Sequence, residues 1–196
     1  TEGAQLAISN HVGLLDTFVL ASVLPVSFVA KAEIRKWPLV GWVCQRVGVI
    51  FVARQKRMQT GNFVEHVHDR MRKGIRVLVF PEGTTSAGND LLPFKTGAFA
   101  SVAGMPDGRI LPLYLKGVHV NGNTDPDVVL DVTGWRDGVP IMTHGWQLLT
   151  ARRIGIEVRI GSLIPTAGQD RKALARESQT AVAALLDTTP ALPQKA

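Results

Sequence analysis

Short apolar runs recur along this chain, and most are followed by a longer segment with helical periodicity. That alternation points to an α/β fold, in which strands bury both faces in a sheet and helices cover them. Gln5–Ser9 reads as a strand, Leu14–Val23 as a helix and Val26–Ala30 as a second strand. Trp37-Pro38 opens a helix of about ten residues, with Pro38 suited to its first turn. Val47–Val52 is a third strand, and Met58–Lys73 a helix with Gly74 where a C-terminal cap belongs. Ile75–Phe80 is an apolar strand suited to the sheet centre.

Further on, Lys95–Ala103 reads as a short helix. Ile110–Leu115 reads as a strand whose Pro112 suggests an edge or a bulge. Val118–Pro126 is rich in turn residues, Val128–Val132 looks like a strand and Ile141–Thr150 like a helix. Ile154–Ile160 alternates as a half-buried strand does, and Gln169–Leu186 is an amphipathic helix. The expected architecture is a single α/β domain over 1–187, with a mostly parallel or mixed sheet flanked by helices, and a polar tail over 188–196.

With 196 residues the chain can bury a substantial single core. Lys and Arg number 22 against 16 Asp and Glu, a net charge of +6, which favours anionic partners. Cys44 is the only cysteine, so no internal disulfide forms, and its apolar surroundings suit a buried structural thiol. No signal peptide is visible, and Gln45 and Arg46 interrupt the nearest candidate span, Trp37–Ala53. A strand pattern starts almost at Thr1, which leaves room for a membrane helix upstream.

Two elements carry chemistry, each just after an apolar run. The first is Asn10-His11-Val12-Gly13-Leu14-Leu15-Asp16. On one helix a five-residue spacing sets His11 and Asp16 roughly 140° apart, and on one strand it sets them on opposite faces. They meet only if His11 ends the strand and Asp16 lies in the first turn of the helix. A carboxylate on one imidazole nitrogen then fixes the tautomer and leaves the other free to take a proton from a hydroxyl. The second element is Phe80-Pro81-Glu82-Gly83-Thr84-Thr85-Ser86. Gly83 lets backbone approach a ligand, and successive amides with Thr84, Thr85 and Ser86 can cradle an anion. Glu82 is out of place there unless it orients a lysine or arginine or binds a substrate hydroxyl. Taken singly, the two also fit an ordinary helix cap and an ordinary strand-to-loop turn.

Together they resemble the glycerolipid acyltransferase family, of the lysophosphatidic acid acyltransferase type. Four of its blocks occur in order: Asn10, His11 and Asp16; Gly48 to Arg54 with Phe51 between; Phe80 to Thr84; and Pro112 within an apolar strand. The stretch Leu92–Phe99 is also similar, whereas position 85 is Thr where many members carry Arg. The resemblance implies a glycerol-3-phosphate acyltransferase-like fold and transfer of a fatty acyl group from acyl-CoA or acyl carrier protein to a lysophospholipid. Lysophosphatidic acid is the first acceptor it suggests, and a lyso-aminolipid such as lyso-ornithine lipid the alternative. His11 is then the base and Asp16 its orienting carboxylate. Arg54, Glu82, Gly83, Thr84 and Lys95 are the substrate-binding set. Acyl-CoA or acyl carrier protein acts as co-substrate, and neither a metal nor a permanently bound cofactor is required. An anionic membrane surface at the cytoplasmic face is the expected location.

Other features have plainer readings. Trp37, Leu39, Val40 and Trp42 beside Lys31, Arg35 and Lys36 fit either an interfacial patch or core packing. Arg54-Gln55-Lys56-Arg57 is a solvated charge run, with Arg54 singled out by the family block. His66 and His68 do not share a helix face, and His119 and His144 belong to no motif. Asp125 and Asp127 supply too few ligands for calcium. Rival functions are a hydrolase or transacylase using the same His-Asp pair, a non-enzymatic anionic-lipid-binding module, and a nucleic-acid binder. The last has no basic-aromatic recognition motif behind it.

Overall fold

In the computed structural model the described residues are 5–37, 40–46, 49–52, 61–86, 91–135 and 138–186. In chain order the elements are β1 (Leu6–Ser9), α1 (Leu15–Val23), β2 (Val26–Lys31), α2 (Val40–Arg46), β3 (Ile50–Val52), α3 (Gly61–Arg72) and β4 (Arg76–Val79). There follow β5 (Arg109–Val120), α4 (Pro126–Thr133), α5 (Ile141–Thr150), β6 (Ile154–Ile160), β7 (Ile164–Pro165) and α6 (Arg171–Leu186). The strands lie in the order β3-β2-β4-β1-β5-β6, with β7 also on β5. Pairings from β3 to β5 are parallel, and β6 and β7 run antiparallel to β5, so the sheet is mixed.

Strand alternation sends side chains to two cores. Leu6 and Ile8 meet Val67 of α3, Phe99, and Leu174 and Val182 of α6. Ala7, Leu78 and Leu111 meet Leu20 and Leu24 on the other side, where α1 packs. Because β1 and β4 are parallel neighbours, the chain leaves Ser9 and Val79 at the same carboxyl edge, where open α/β sheets place ligands. β5 pairs with Ser9 at Leu113 and runs on to Val120, an overhang of roughly 23 Å. β6 pairs with that overhang, and α4 packs on it at Gly117, where an added Cβ would lie 2.7 Å from Val129.

Several boundaries differ from the sequence reading. Val128–Val132 is helical, not extended: Asp125 accepts from Asp127 N at 3.0 Å and Pro126 stands at the helix start, so α4 is nucleated in spite of its valines. Pro112 is neither at an edge nor in a bulge. Its carbonyl accepts from Gly161 N at 2.9 Å, so its ring nitrogen faces the break between β6 and β7, where no ladder donor is needed. The irregularity in β5 falls between Gly117 and His119.

The helix expected from Trp37 is found as α2, Val40–Arg46, with Pro38 outside the described residues, and a 3₁₀ segment not foreseen in the sequence, Ala32–Lys36, precedes it. The helix expected over Lys95–Ala103 is a 3₁₀ turn at Thr96–Phe99. β3 is shorter than expected, and the tail over 188–196 is outside the described residues. α3 ends as expected on Gly74 at φ +69°, with Gly74 N donating to Met71 O and Ile75 N to Arg70 O, each at 2.9 Å. Among the described residues no helix is long and apolar enough to cross a membrane.

Removing the α4 cap with Asp125→Ala is expected to lower stability by about 1 kcal/mol in urea unfolding, with the slope unchanged.

Candidate active site

The polypeptide leaves β1 at Ser9 and turns through residues 10–14 into α1. Asn10 is buried and continues the sheet by side chain: its Nδ2 donates to Leu115 O at 2.9 Å, and Leu115 N donates to its Oδ1 at 2.7 Å. The next residue, His11, is thereby held at the sheet edge. Asp16, the second residue of α1, is 3 % exposed. Its Oδ2 accepts from His11 Nδ1 at 2.8 Å, Val12 N at 2.6 Å and Gly13 N at 2.9 Å. A carboxylate reaching back from the first helical turn satisfies two amides of the turn that leads into the helix. With Nδ1 as donor, Nε2 of His11 is the acceptor. The His11 side chain is about a quarter exposed, against 5 % for that of Asp16.

The loop after β4 fixes His11 from the other side. Phe80 stacks on the imidazole, ring centroids 4.1 Å apart. Glu82 is 2 % exposed and spends its oxygens on backbone: Oε1 accepts from His11 N and Oε2 from Leu92 N, both at 2.9 Å. Ser86 N donates to His11 O at 2.7 Å. Sequence reasoning offered Glu82 to a basic partner or a substrate hydroxyl, whereas here it is a brace between loops. Burial pushes its carboxyl pKa up, and the two amide bonds oppose that shift.

Gly83 has φ +72°, and the Lys95 side chain lies over it: an added Cβ would meet Lys95 Nζ at 2.5 Å. Thr84 is half-buried in the same loop and Lys95 is exposed. Thr85 donates its hydroxyl hydrogen to Trp135 O at 3.0 Å, and Trp135 N donates to Val12 O at 2.8 Å. His11, Asp16, Glu82, Gly83, Thr84 and Lys95 therefore share one edge of the sheet. Arg54 lies outside the described residues. A partly exposed, carboxylate-oriented imidazole beside a glycine turn topped by a lysine can deprotonate a hydroxyl on an anionic molecule.

One neighbour was not foreseen. His144 of α5 is 1 % exposed, stacks parallel to Trp135 at 6.3 Å, and has no hydrogen-bond partner for either ring nitrogen among the described residues. A Cβ on Gly13 would run into Thr133 O and lie 3.2 Å from His144 Nε2. α5 thus presses a histidine edge into the space a side chain at position 13 would need. Only the helical pattern of Ile141–Thr150 hinted at this, since its period sets His144 opposite Met142 and Trp146. Burial pushes the His144 pKa down, and the charge of Asp16 opposes the shift.

Residues 1–116 match the model of the Acyltransferase family, and the chain belongs to that family. It is 35% identical over 190 residues to the lyso-ornithine lipid O-acyltransferase of Brucella abortus, covering 93% of this chain and 71% of that one. It is 31% identical over 183 residues to the 1-acyl-sn-glycerol-3-phosphate acyltransferase of Neisseria gonorrhoeae, covering 92% and 69%. The fold is shared with the 1-acyl-sn-glycerophosphate acyltransferase of Thermotoga maritima, with a TM-score of 0.65, 18% identity, and coverage of 97% of this chain and 69% of that one. The protein is an acyltransferase.

Gly13→Ala is expected to cost about 1–3 kcal/mol through the collision with Thr133 and His144, read by thermal unfolding. A second expectation concerns pH. The folded pKa of His144 is below its unfolded value, so its contribution to stability is complete above about pH 6.5 and is lost as pH falls through the folded pKa. Relative to His144→Phe, the parent should lose stability as pH falls below about 6.5. Parallel profiles would contradict a buried neutral imidazole.

Proposed function

We propose that the chain transfers a fatty acyl group from a thioester, acyl-CoA or acyl carrier protein, to the free hydroxyl of a lyso-lipid whose headgroup bears a phosphate or carboxylate. The observation that carries this reading is the His11–Asp16 bond at 2.8 Å, in an imidazole stacked on the loop that bears Gly83. His11 Nε2 takes the hydroxyl proton as the acceptor oxygen attacks the thioester carbonyl. The tetrahedral adduct then collapses, the carbon–sulfur bond breaks, and the proton passes from His11 to the departing thiolate. Asp16 stays ionised and supports the imidazolium. No acyl-enzyme intervenes. Gly83, Thr84 and Lys95 face the headgroup, with Arg54 as a further cation, and Glu82 serves by holding His11 in place.

Two observations favour lyso-ornithine lipid over lysophosphatidic acid. Thr85 stands where many members carry Arg and its hydroxyl is engaged with Trp135. That leaves Lys95 as the described cation over the loop. A loop without that guanidinium is less suited to a phosphate monoester bearing about −1.5 to −2 than to a carboxylate. The relative at 35% identity is also named for the ornithine acceptor. A lipid acceptor supports membrane association, and the cytoplasmic face is part of the same proposal.

The test is product mass spectrometry with both lyso-lipids, each offered acyl-CoA or acyl carrier protein, with release of free thiol followed in parallel. Acylated lyso-ornithine lipid with stoichiometric thiol is expected. His11→Ala and Asp16→Asn should each lose roughly 10²–10⁴ in rate, His11→Ala with little change in stability and Asp16→Asn with some loss of it, because Asp16 also holds the Val12 and Gly13 amides. Unchanged transfer in either variant would end the dyad mechanism, and fatty acid release without an acylated product would favour a hydrolase.

A further inference from the structure

Helix α5 uses its two faces differently. One carries His144, buried against Gly13 in the dyad loop. On the other, Met142, Trp146 and Leu149 are 81%, 68% and 81% exposed. At 100° per residue these three fall within about 60° of one another and roughly 140–160° from His144. Such exposure of large apolar side chains in one stripe is unusual for a surface that only meets water. The helix Ile141–Thr150 contains no acidic residue. It is followed by Arg152 and Arg153, both exposed, neither in an ion pair among the described residues. The two arginines line a surface concavity of about 680 Å³ with His119, Asn121, Gly122 and Thr124, at the far end of the β5 overhang.

We propose that this stripe and its arginines are the surface by which the chain lies on an anionic lipid bilayer, Trp146 at headgroup depth and the guanidinium groups on lipid phosphates. The occupant follows from the chemistry. A narrow apolar stripe on a helix free of acidic residues, followed by two exposed arginines, is the pattern of interfacial attachment. Three side chains offer roughly 500 Å² at most, short of the ~800 Å² per partner of a stable protein interface. A bilayer needs no complementary shape. The opposite face of the same helix touches the dyad loop, so docking brings the bilayer to within one helix thickness of His11. The choice of a bilayer rests on the lyso-lipid reading above, but its test does not.

The experiment is co-sedimentation of the full chain with vesicles of phosphatidylcholine, with and without phosphatidylglycerol. The parent should bind the phosphatidylglycerol vesicles and be released by salt. Trp146→Gln/Leu149→Gln should lower the partition coefficient by about an order of magnitude. Arg152→Gln/Arg153→Gln should remove a similar factor, confined to the anionic vesicles. All four positions are exposed, and unchanged thermal unfolding checks the fold. His11→Ala should bind as the parent does, so binding and acyl transfer fail separately. Parent-like binding by the Trp146/Leu149 variant would overturn the proposal. So would a parent indifferent to phosphatidylglycerol, or a parent dimer that this variant converts to monomer.

Discussion

A single carboxylate oxygen organises the reactive edge of this molecule. Asp16 Oδ2 receives three hydrogens, one from the His11 ring and two from the amides of Val12 and Gly13. The two amides lock the turn between β1 and α1, and the ring bond orients the imidazole. Charge-assisted bonds of this kind are about twice as strong as neutral ones, and burial of Asp16 keeps water from competing for them. The same contact that closes the turn therefore sets the tautomer. Loss of the carboxylate would loosen both together.

The second carboxylate has a different task. Glu82 bridges His11 N and Leu92 N, joining the loop after β1 to the segment that carries Lys95. Its burial opposes ionisation, and the charge of Asp16 adds to that. The geometry gains rigidity at this cost, because the ring, the glycine turn and the lysine are tied through one buried side chain. His144 adds steric support from α5, filling the space left by Gly13. The dyad is thus enclosed by three separate elements, while the ring keeps a partly open side.

Much of this was readable from the residues. Apolar runs followed by helical periods placed β1, α1, β2 and β4, and the strand-to-helix turn that lets His11 reach Asp16 followed from their spacing. α5 and α6 were legible because apolar periodicity is a long-range average that single residues do not spoil. Val128–Val132 was misread because β propensity is weak where a cap decides the matter, and Asp125-Pro126 is such a cap. Pro112 was misplaced because sequence does not reveal that β5 changes partners beside it. Glu82 was read as orienting a basic partner or binding a substrate hydroxyl, because nothing local shows its backbone donors. Its two backbone donors lie 71 and 10 residues away in sequence, beyond any local pattern. His144 was given no role for the same reason, since its neighbour Gly13 belongs to a distant loop.

The placement of the proton on His11 is what joins this geometry to chemistry, and nitrogen NMR of histidine-labelled protein reads it directly. The neutral His11 ring should show a protonated Nδ1 and a bare Nε2, a pattern lost in Asp16→Asn. A ring protonated at Nε2, or a spectrum indifferent to the Asp16 substitution, would mean that the carboxylate does not govern the imidazole.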